Sequence, residues 1–307
     1  MQKGKNQFGN FAAGRLACML VAFLVHAGGN MVHAEGATVN SATALRAKYA
    51  ELSGQLDDNQ FQKPLYLEST EASGDLTGNM YALLRHPFAA VQSALKEPAH
   101  WCDILILHVN TKYCRAFAKG AGTVLKVNIG RKSDQPMEQT HRVEFTFHII
   151  EAGPGYLAVI LNADMGPFGT RNYRILMEAV PLKDGQTFLH LAYSYTYGTM
   201  AKLATLAYLR TAGYNKVGFT VAGRRANGEI VYVDGLRGIV ERNTMRYYLA
   251  IEAYLGALSA APPAQLEKRL MDWFASVERY PRQLHEMEKQ DYLEMKRKEY
   301  LRQQSDL

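Results

Sequence analysis

From residue 122 to 197 the chain alternates. In "HRVEFTFHIIEAG", residues 141–153, Val143, Phe145, Phe147 and Ile149 fall on one side, and Glu144, Thr146 and His148 on the other. The same period of two groups Leu157, Val159 and Leu161, then Tyr173, Ile175, Met177 and Ala179, with Asn172, Arg174 and Glu178 facing away. It also groups Leu189, Leu191, Tyr193, Tyr195 and Tyr197. Strict alternation marks a strand with one buried face. "RKSDQP", "PG", "MGPFG" and "KDG" separate these runs, and "GTVLKVNIG" precedes them. Short turn-rich links between strands predict an antiparallel meander.

The flanks follow other periods. In 41–56, Ala44, Leu45, Tyr49 and Leu52 recur at helical spacing behind a Ser41 or Thr43 cap, which predicts an accessory helix within 35–63. "LYLESTEASG" and "GDLTGNMYALL" read as an extended pair broken at Gly74 or Gly78. "HPFAAVQSALKEP" is a short helix with Phe88, Val91, Ala94 and Leu95 on one face. Beyond the meander, 199–212 is helical, with Thr199 as cap and Gly213 as stop, and a small hairpin turns at Asn227-Gly228. A long amphipathic helix occupies 237–259, where Val240, Met245, Tyr248, Leu249 and Leu255 recur. "APP" at 261–263 is a boundary. The helix-prone, charged stretch after it is expected to be a solvated C-terminal extension, 261–307.

The N-terminus changes the setting. Lys3, Lys5 and Arg15 form a basic region with no acid before Glu35, and "LACMLVAFLV" is too short an apolar run to span a bilayer comfortably. Residues 1–34 are expected to be a signal peptide cleaved after Ala34, with Ala27 as a second option and an uncleaved anchor as the alternative. The expected location is periplasmic. Three of the 35 basic residues leave with the leader, so 32 face 29 acidic residues and the net charge falls from +6 to about +3. Export and weak charge argue against nucleic acid.

Export gives meaning to Cys102 and Cys114, the two cysteines that remain. An even pair in an oxidising compartment reads as a disulfide, with two separately buried thiols as the alternative. Bridged Cα atoms lie within ~7 Å, which a straight strand rising ~3.3 Å per residue cannot provide. A bridge therefore implies a short helix opening at Pro98, a turn near Asn110 and a returning strand through "TKYCRAF".

In order, the chain offers a strand ("GNMYALL"), two short helices containing "HPFAAVQSAL" and "PAHWCDIL", a meander, and a long helix. This resembles the helix-grip fold of the START and polyketide-cyclase-like (SRPBCC) superfamily, in which a tryptophan often opens the second short helix; Trp101 holds that place here. Within the superfamily the chain looks like uncharacterised exported proteobacterial proteins. The resemblance covers roughly 64–258. It implies an α+β fold, a curved antiparallel sheet wrapped around a long C-terminal helix that closes an apolar cavity, in a domain of 64–260. The chain departs from that plan by having two helical stretches, 199–212 and 237–258, after the last strand, and either one is a candidate for the gripping helix.

On this reading the candidate cavity residues are Phe145, Phe147, Val159, Leu161, Tyr173, Ile175, Met177, Leu191, Tyr193 and Tyr195. Buried tyrosines need partners for their hydroxyls, so the cluster suggests a polar-tipped cavity, with an ordinary core packed under a helix as the alternative. Glu241, Tyr248 and Glu252 share one face of the long helix. Its carboxylates either enter the cavity as a general acid or head-group acceptor, or pair with arginines on the solvent side. Asp164 and Arg171 flank a tight turn and are placed to pair across it, with substrate contact as the alternative.

Motifs for established chemistries are missing. There is no G-x-S-x-G, H-E-x-x-H, P-loop or C-x-x-C. His86, His100, His108, His141, His148, His190 and His285 show no ligand spacing, so neither metal nor cofactor is expected. The leading expectation is a non-enzymatic binder of a lipid or other hydrophobic small molecule, with transient membrane contact. A cyclase- or hydrolase-like enzyme using a buried carboxylate and tyrosines, and an envelope interaction module contacting partners through 264–304, are the alternatives.

Overall fold

Ser73 and Gly74, both at positive φ, close a two-residue hairpin between β1 (Leu65–Ala72) and β2 (Asp75–Leu84). A tight turn of this kind matches the right-handed twist of its strands. The computed structural model describes residues 41–199, 202–203 and 215–305, which all lie in one unit beginning at Val39. The expected leader, and the body of the expected 199–212 helix, lie outside the described residues.

After β2 the chain leaves the sheet through α2 (Phe88–Leu95) and α3 (Pro98–Leu105), then re-enters at the far edge as β3 (Thr111–Lys119). Five more strands return in sequence: β4 (Gly122–Ile129), β5 (His141–Gly153), β6 (Tyr156–Met165), β7 (Arg171–Pro181) and β8 (Thr187–Thr196). Strand β8 pairs with β2, giving one antiparallel sheet in the order β1-β2-β8-β7-β6-β5-β4-β3. A small hairpin of β9 (Val221–Arg224) and β10 (Ile230–Tyr232) stands apart, turning at Gly228.

The long helix α4 (Gly235–Ala257) packs on β1, β2 and β8 of the curved sheet. This is the helix-grip arrangement that the resemblance implies. Gly78 on β2 makes the close approach possible, because a Cβ there would lie 2.3 Å from Thr244 Oγ1. Leu161, Met177, Leu191, Val240, Leu249 and Ile251 are fully buried in the core that results.

The other face of the sheet is also covered. Helix α1 (Ala42–Asp57), capped by Ser41 Oγ on Ala44 N, buries Leu45, Leu52 and Leu56 with Tyr156, Val180 and Phe188. At the far edge the disulfide forms between Cys102 and Cys114, whose Cα atoms are 5.0 Å apart. Helix, turn and returning strand stand as the bridge requires. Trp101 is buried beside them, donating from Nε1 to Leu95 O at 2.8 Å.

The charged C-terminus differs from its expectation. Helices α5 (Pro262–Val277), α6 (Pro281–Leu284) and α7 (Lys289–Gln304) pack against the domain. Lys296 and Glu299 of α7 are fully buried with Lys112 of β3. Lys112 Nζ donates to Glu299 Oε1 at 2.9 Å and Lys296 Nζ to Glu299 Oε2 at 2.7 Å. Lys296 also donates to the carbonyls of His108 and Thr111. Charge density in a sequence signals solvent only until another element supplies the counter-charge.

Candidate functional site

A cavity of about 430 Å³ opens between the sheet and the N-terminal half of α4. Strands β7 and β8 contribute Tyr173, Tyr193 and Tyr195, and Tyr197 follows β8. Leu236, Ile239, Arg242, Asn243 and Arg246 project from α4. The β6–β7 connection supplies Pro167, Phe168 and Thr170, and Asn110 and Lys132 complete the lining. A second chamber of about 130 Å³ shares Asn110, Pro167, Tyr173, Tyr193 and Asn243 with it. That chamber adds Val127, Ile129, Phe145 and Ile175 from the sheet, and Leu105, His108 and Tyr247 opposite.

Local sequence builds these walls. Phe168 takes a positive φ of 57° in the β6–β7 turn and remains exposed at the cavity mouth. Gly166 lets the turn fold onto Tyr173, since a Cβ there would come within 2.3 Å of that ring. Thr170 Oγ1 and the Tyr173 hydroxyl are hydrogen-bonded at 2.8 Å. Tyr173 stacks on Tyr195 with centroids 5.2 Å apart, and Tyr193 meets Tyr247 edge-on at 5.2 Å.

The tyrosines differ in how far their hydroxyls are satisfied. Tyr197 donates to Glu71, and Tyr173 is held by Thr170. The hydroxyls of Tyr193, Tyr195 and Tyr247 make no hydrogen bond among the described residues. Burial pushes all three well above the ordinary tyrosine range, so they stay protonated and act as donors.

One wall is cationic. Arg246 Nη2 donates to Glu286 Oε1 at 2.5 Å, and Lys132 Nζ lies 2.7 Å from Glu286 Oε2. Burial alone would raise the Glu286 carboxyl, but Arg246 and Lys132 outweigh it and hold the group below its ordinary range. Arg242 donates to Val217 O at 3.2 Å. Among the described residues, no aspartate or glutamate lines either chamber.

The structure sorts the sequence candidates. Phe145, Tyr173, Ile175, Tyr193 and Tyr195 line the two chambers. Phe147, Val159, Leu161, Met177 and Leu191 are buried on the same face but pack in the core. Ile149 pairs with Val159 in register with Phe147, yet it is 46 % exposed, and a bulge follows it before Glu151.

Neither helix carboxylate reaches the cavity. Glu241 is fully buried as a clamp. Its Oε1 accepts from Ser69 Oγ and Thr220 Oγ1, both at 2.6 Å, and its Oε2 from Phe219 N at 2.6 Å and Thr220 N at 2.9 Å. Gly218 permits this, since a Cβ there would sit 2.5 Å from Glu241 Oε2. Glu252 pairs with Lys63, and Tyr248 is core. The partners are thus backbone, hydroxyls and a lysine rather than solvent-side arginines. Asp164 and Arg171 are both exposed and form no ion pair with each other.

The sequence reading missed the cavity's helix residues. Leu236, Ile239, Asn243 and Arg246 recur at spacings of three and four, which is a legible stripe, but the apolar core positions of the helix masked it. It also missed a buried network on the convex face. Glu178 faces away from the cavity as expected, yet it is fully buried under α1. Its Oε2 lies 2.9 Å from His190 Nδ1, its Oε1 accepts from the Tyr156 hydroxyl, and His190 Nε2 lies 3.0 Å from Asn79 Oδ1. Among the described residues no cluster of His, Cys, Asp or Glu fits a metal ion, and no helix is long and apolar enough to cross a membrane.

No protein-family profile matches the chain, and no curated protein matches it. Solved structures similar to it include human StAR-related lipid transfer protein 5, at 10 % identity, over 55 % of this chain and 89 % of that one, with a TM-score of 0.31. Ara h 8.0201 is similar at 14 % identity over 60 % and 99 %, with a TM-score of 0.35. Zhui aromatase/cyclase from Streptomyces sp. R1128 is similar at 9 % identity over 67 % and 95 %, with a TM-score of 0.31.

Proposed function

We propose that this is a periplasmic binding protein that holds a lipid or other hydrophobic small molecule between its sheet and helix α4. The observation that carries this is the cavity of about 430 Å³, with an aromatic and aliphatic sheet wall, a cationic helix wall, and the hydroxyls of Tyr193 and Tyr195, which make no hydrogen bond among the described residues. Its size falls in the range typical of small-molecule sites, roughly 300–1,000 Å³. Burying about 300 Å² of apolar ligand surface would yield roughly 7 kcal/mol before ordering costs, which supports micromolar binding without a strong polar anchor.

Two features support the periplasmic part of the reading: the disulfide suits an oxidising compartment, and the basic, then apolar run of residues 1–34 suits a leader. An enzymatic reading would need an acid or base at the cavity. Glu241 and Glu252, the carboxylates that such a reading relied on, lie elsewhere, while His108 and the protonated tyrosines remain on the lining. The interaction reading loses much of its surface, because α7 buries Tyr292, Leu293, Met295, Lys296 and Glu299 against the domain.

Native mass spectrometry of protein purified without detergent from its own host tests the proposal. A co-purifying species, released on denaturation and identified as a hydrophobic molecule, is the expected result. Protein that carries no adduct and takes up none from a total lipid extract would overturn it.

A further inference from the structure

The proposed cavity has two unlike walls. The sheet side is aromatic and aliphatic: Tyr173, Tyr195, Phe145, Ile175 and Val127. The helix side is a set of donors, and two of them are buried without a partner among the described residues. His108 is 4 % exposed, and its Nδ1 accepts from Asn110 N at 3.1 Å, which puts the ring proton on Nε2. That Nε2–H makes no hydrogen bond, although Asn243 lies beside it. Arg246, 3 % exposed, likewise leaves Nε–H unbonded. Unpaired buried donors cost about 1–3 kcal/mol each, and a bound acceptor would relieve that cost.

Charge points the same way. Lys132, Arg242 and Arg246 line the larger chamber, and the carboxylate of Glu286 is the counter-ion for both Lys132 and Arg246. Lys216 adds to the cationic side, lowered by burial and by the neighbouring Lys132, Arg246 and Arg242. Among the described residues, the charged side chains lining the cavity where it meets α4 are all cations, so an anionic group is the charge that this wall attracts.

Size limits the rest of the ligand. At about 430 and 130 Å³, the two chambers are the size of a site for one small molecule.

Resting on the binding reading above, we infer that the ligand is a single-chain amphiphile with an anionic head, carboxylate or phosphate. The head sits against Arg242 and Arg246, and the chain lies along the tyrosine-lined sheet.

The test is calorimetric titration of the full mature protein with decanoate, decyl phosphate, decanol and decylamine, each below its micelle concentration. One or both anionic probes should bind about tenfold or more tighter than decanol, and whichever is tighter identifies the head group. Added salt should weaken the anionic probes and leave decanol unchanged. Arg242→Gln and Arg246→Gln should narrow the gap between anion and alcohol. Glu286→Gln should widen it, because it frees Lys132 and Arg246. Equal binding of decanoate, decyl phosphate and decanol, or a preference for decylamine, would overturn the anionic head while leaving the cavity reading intact. No binding by any of the four would overturn both.

Discussion

Glu241 offers the sharpest test of how the long helix is held. Its two oxygens collect four hydrogen bonds from β1 and from the 219–220 segment, and none of the carboxylate is exposed. Hydrogen bonds to a charged group contribute about 1.5–3 kcal/mol, and donors stranded in the interior incur their full desolvation cost. In Glu241→Ala the Ser69 and Thr220 hydroxyls can rotate to other partners, but the Phe219 and Thr220 amides cannot. Two stranded amides plus the lost packing give a destabilisation of about 3–5 kcal/mol, a large share of the roughly 5–15 kcal/mol that holds a domain. Urea unfolding should show the midpoint falling by about 1–2 M, and hydrogen exchange at the 219 and 220 amides should accelerate. A loss below about 1 kcal/mol with those amides still protected would refute the clamp. A normal fold with an altered pH profile of ligand binding would instead make Glu241 a cavity acid.

Three further predictions follow from separate features. Ellman's reagent should find no free thiol among Cys102 and Cys114 in denatured, unreduced protein, and reduction should cost about 3 kcal/mol from loop-closure entropy; two titrating thiols would remove the staple. Gly78→Ala should destabilise by about 1–3 kcal/mol, since its Cβ would press on Thr244 and lift α4 from the sheet; a neutral variant would show that the helix is free to retreat. Burial lowers Lys296 from its ordinary 10.5 to about 8, and lowers Lys112 as well, so between pH 8 and 10.5 the unfolded chain binds more protons. Stability should therefore rise with pH from about 8. It should turn down above 10, where the unfolded chain's tyrosines ionise and Tyr193, Tyr248 and Tyr292 remain protonated in the fold. Urea midpoints at pH 7, 9 and 11 read this out, and Lys296→Met should flatten the rise.

Much of the sheet was legible because its information is local. Val143, Phe145 and Phe147 alternate with polar residues because they sit on a half-buried strand, and the cysteine pair forced the turn at Asn110 once export was assumed. The failures share a physical cause. Alternation gives Ile149 its register, opposite Val159, but carries no information on what covers that position, and Ile149 is 46 % exposed. Glu178 was expected only to face away; that α1 seals it in depends on where a distant helix docks. Lys296 and Glu299 looked solvated because their counterpart, Lys112, is remote in sequence. Helix phase misplaced the site itself. Which side of α4 meets the cavity is set by how it seats against Gly78, so Arg242 and Arg246 face the cavity where Glu241 was expected.

The claim on which the rest depends is that a hydrophobic molecule lies between the sheet and α4. Photolysis of the protein with a fatty acid carrying a diazirine at mid-chain, followed by peptide mass spectrometry, reads the location directly. Adducts on Tyr173, Tyr193, Tyr195 or Tyr247, suppressed by unlabelled decanoate, are the predicted result. Adducts confined to exposed apolar residues such as Ile150 or Leu301, and unaffected by competitor, would contradict it.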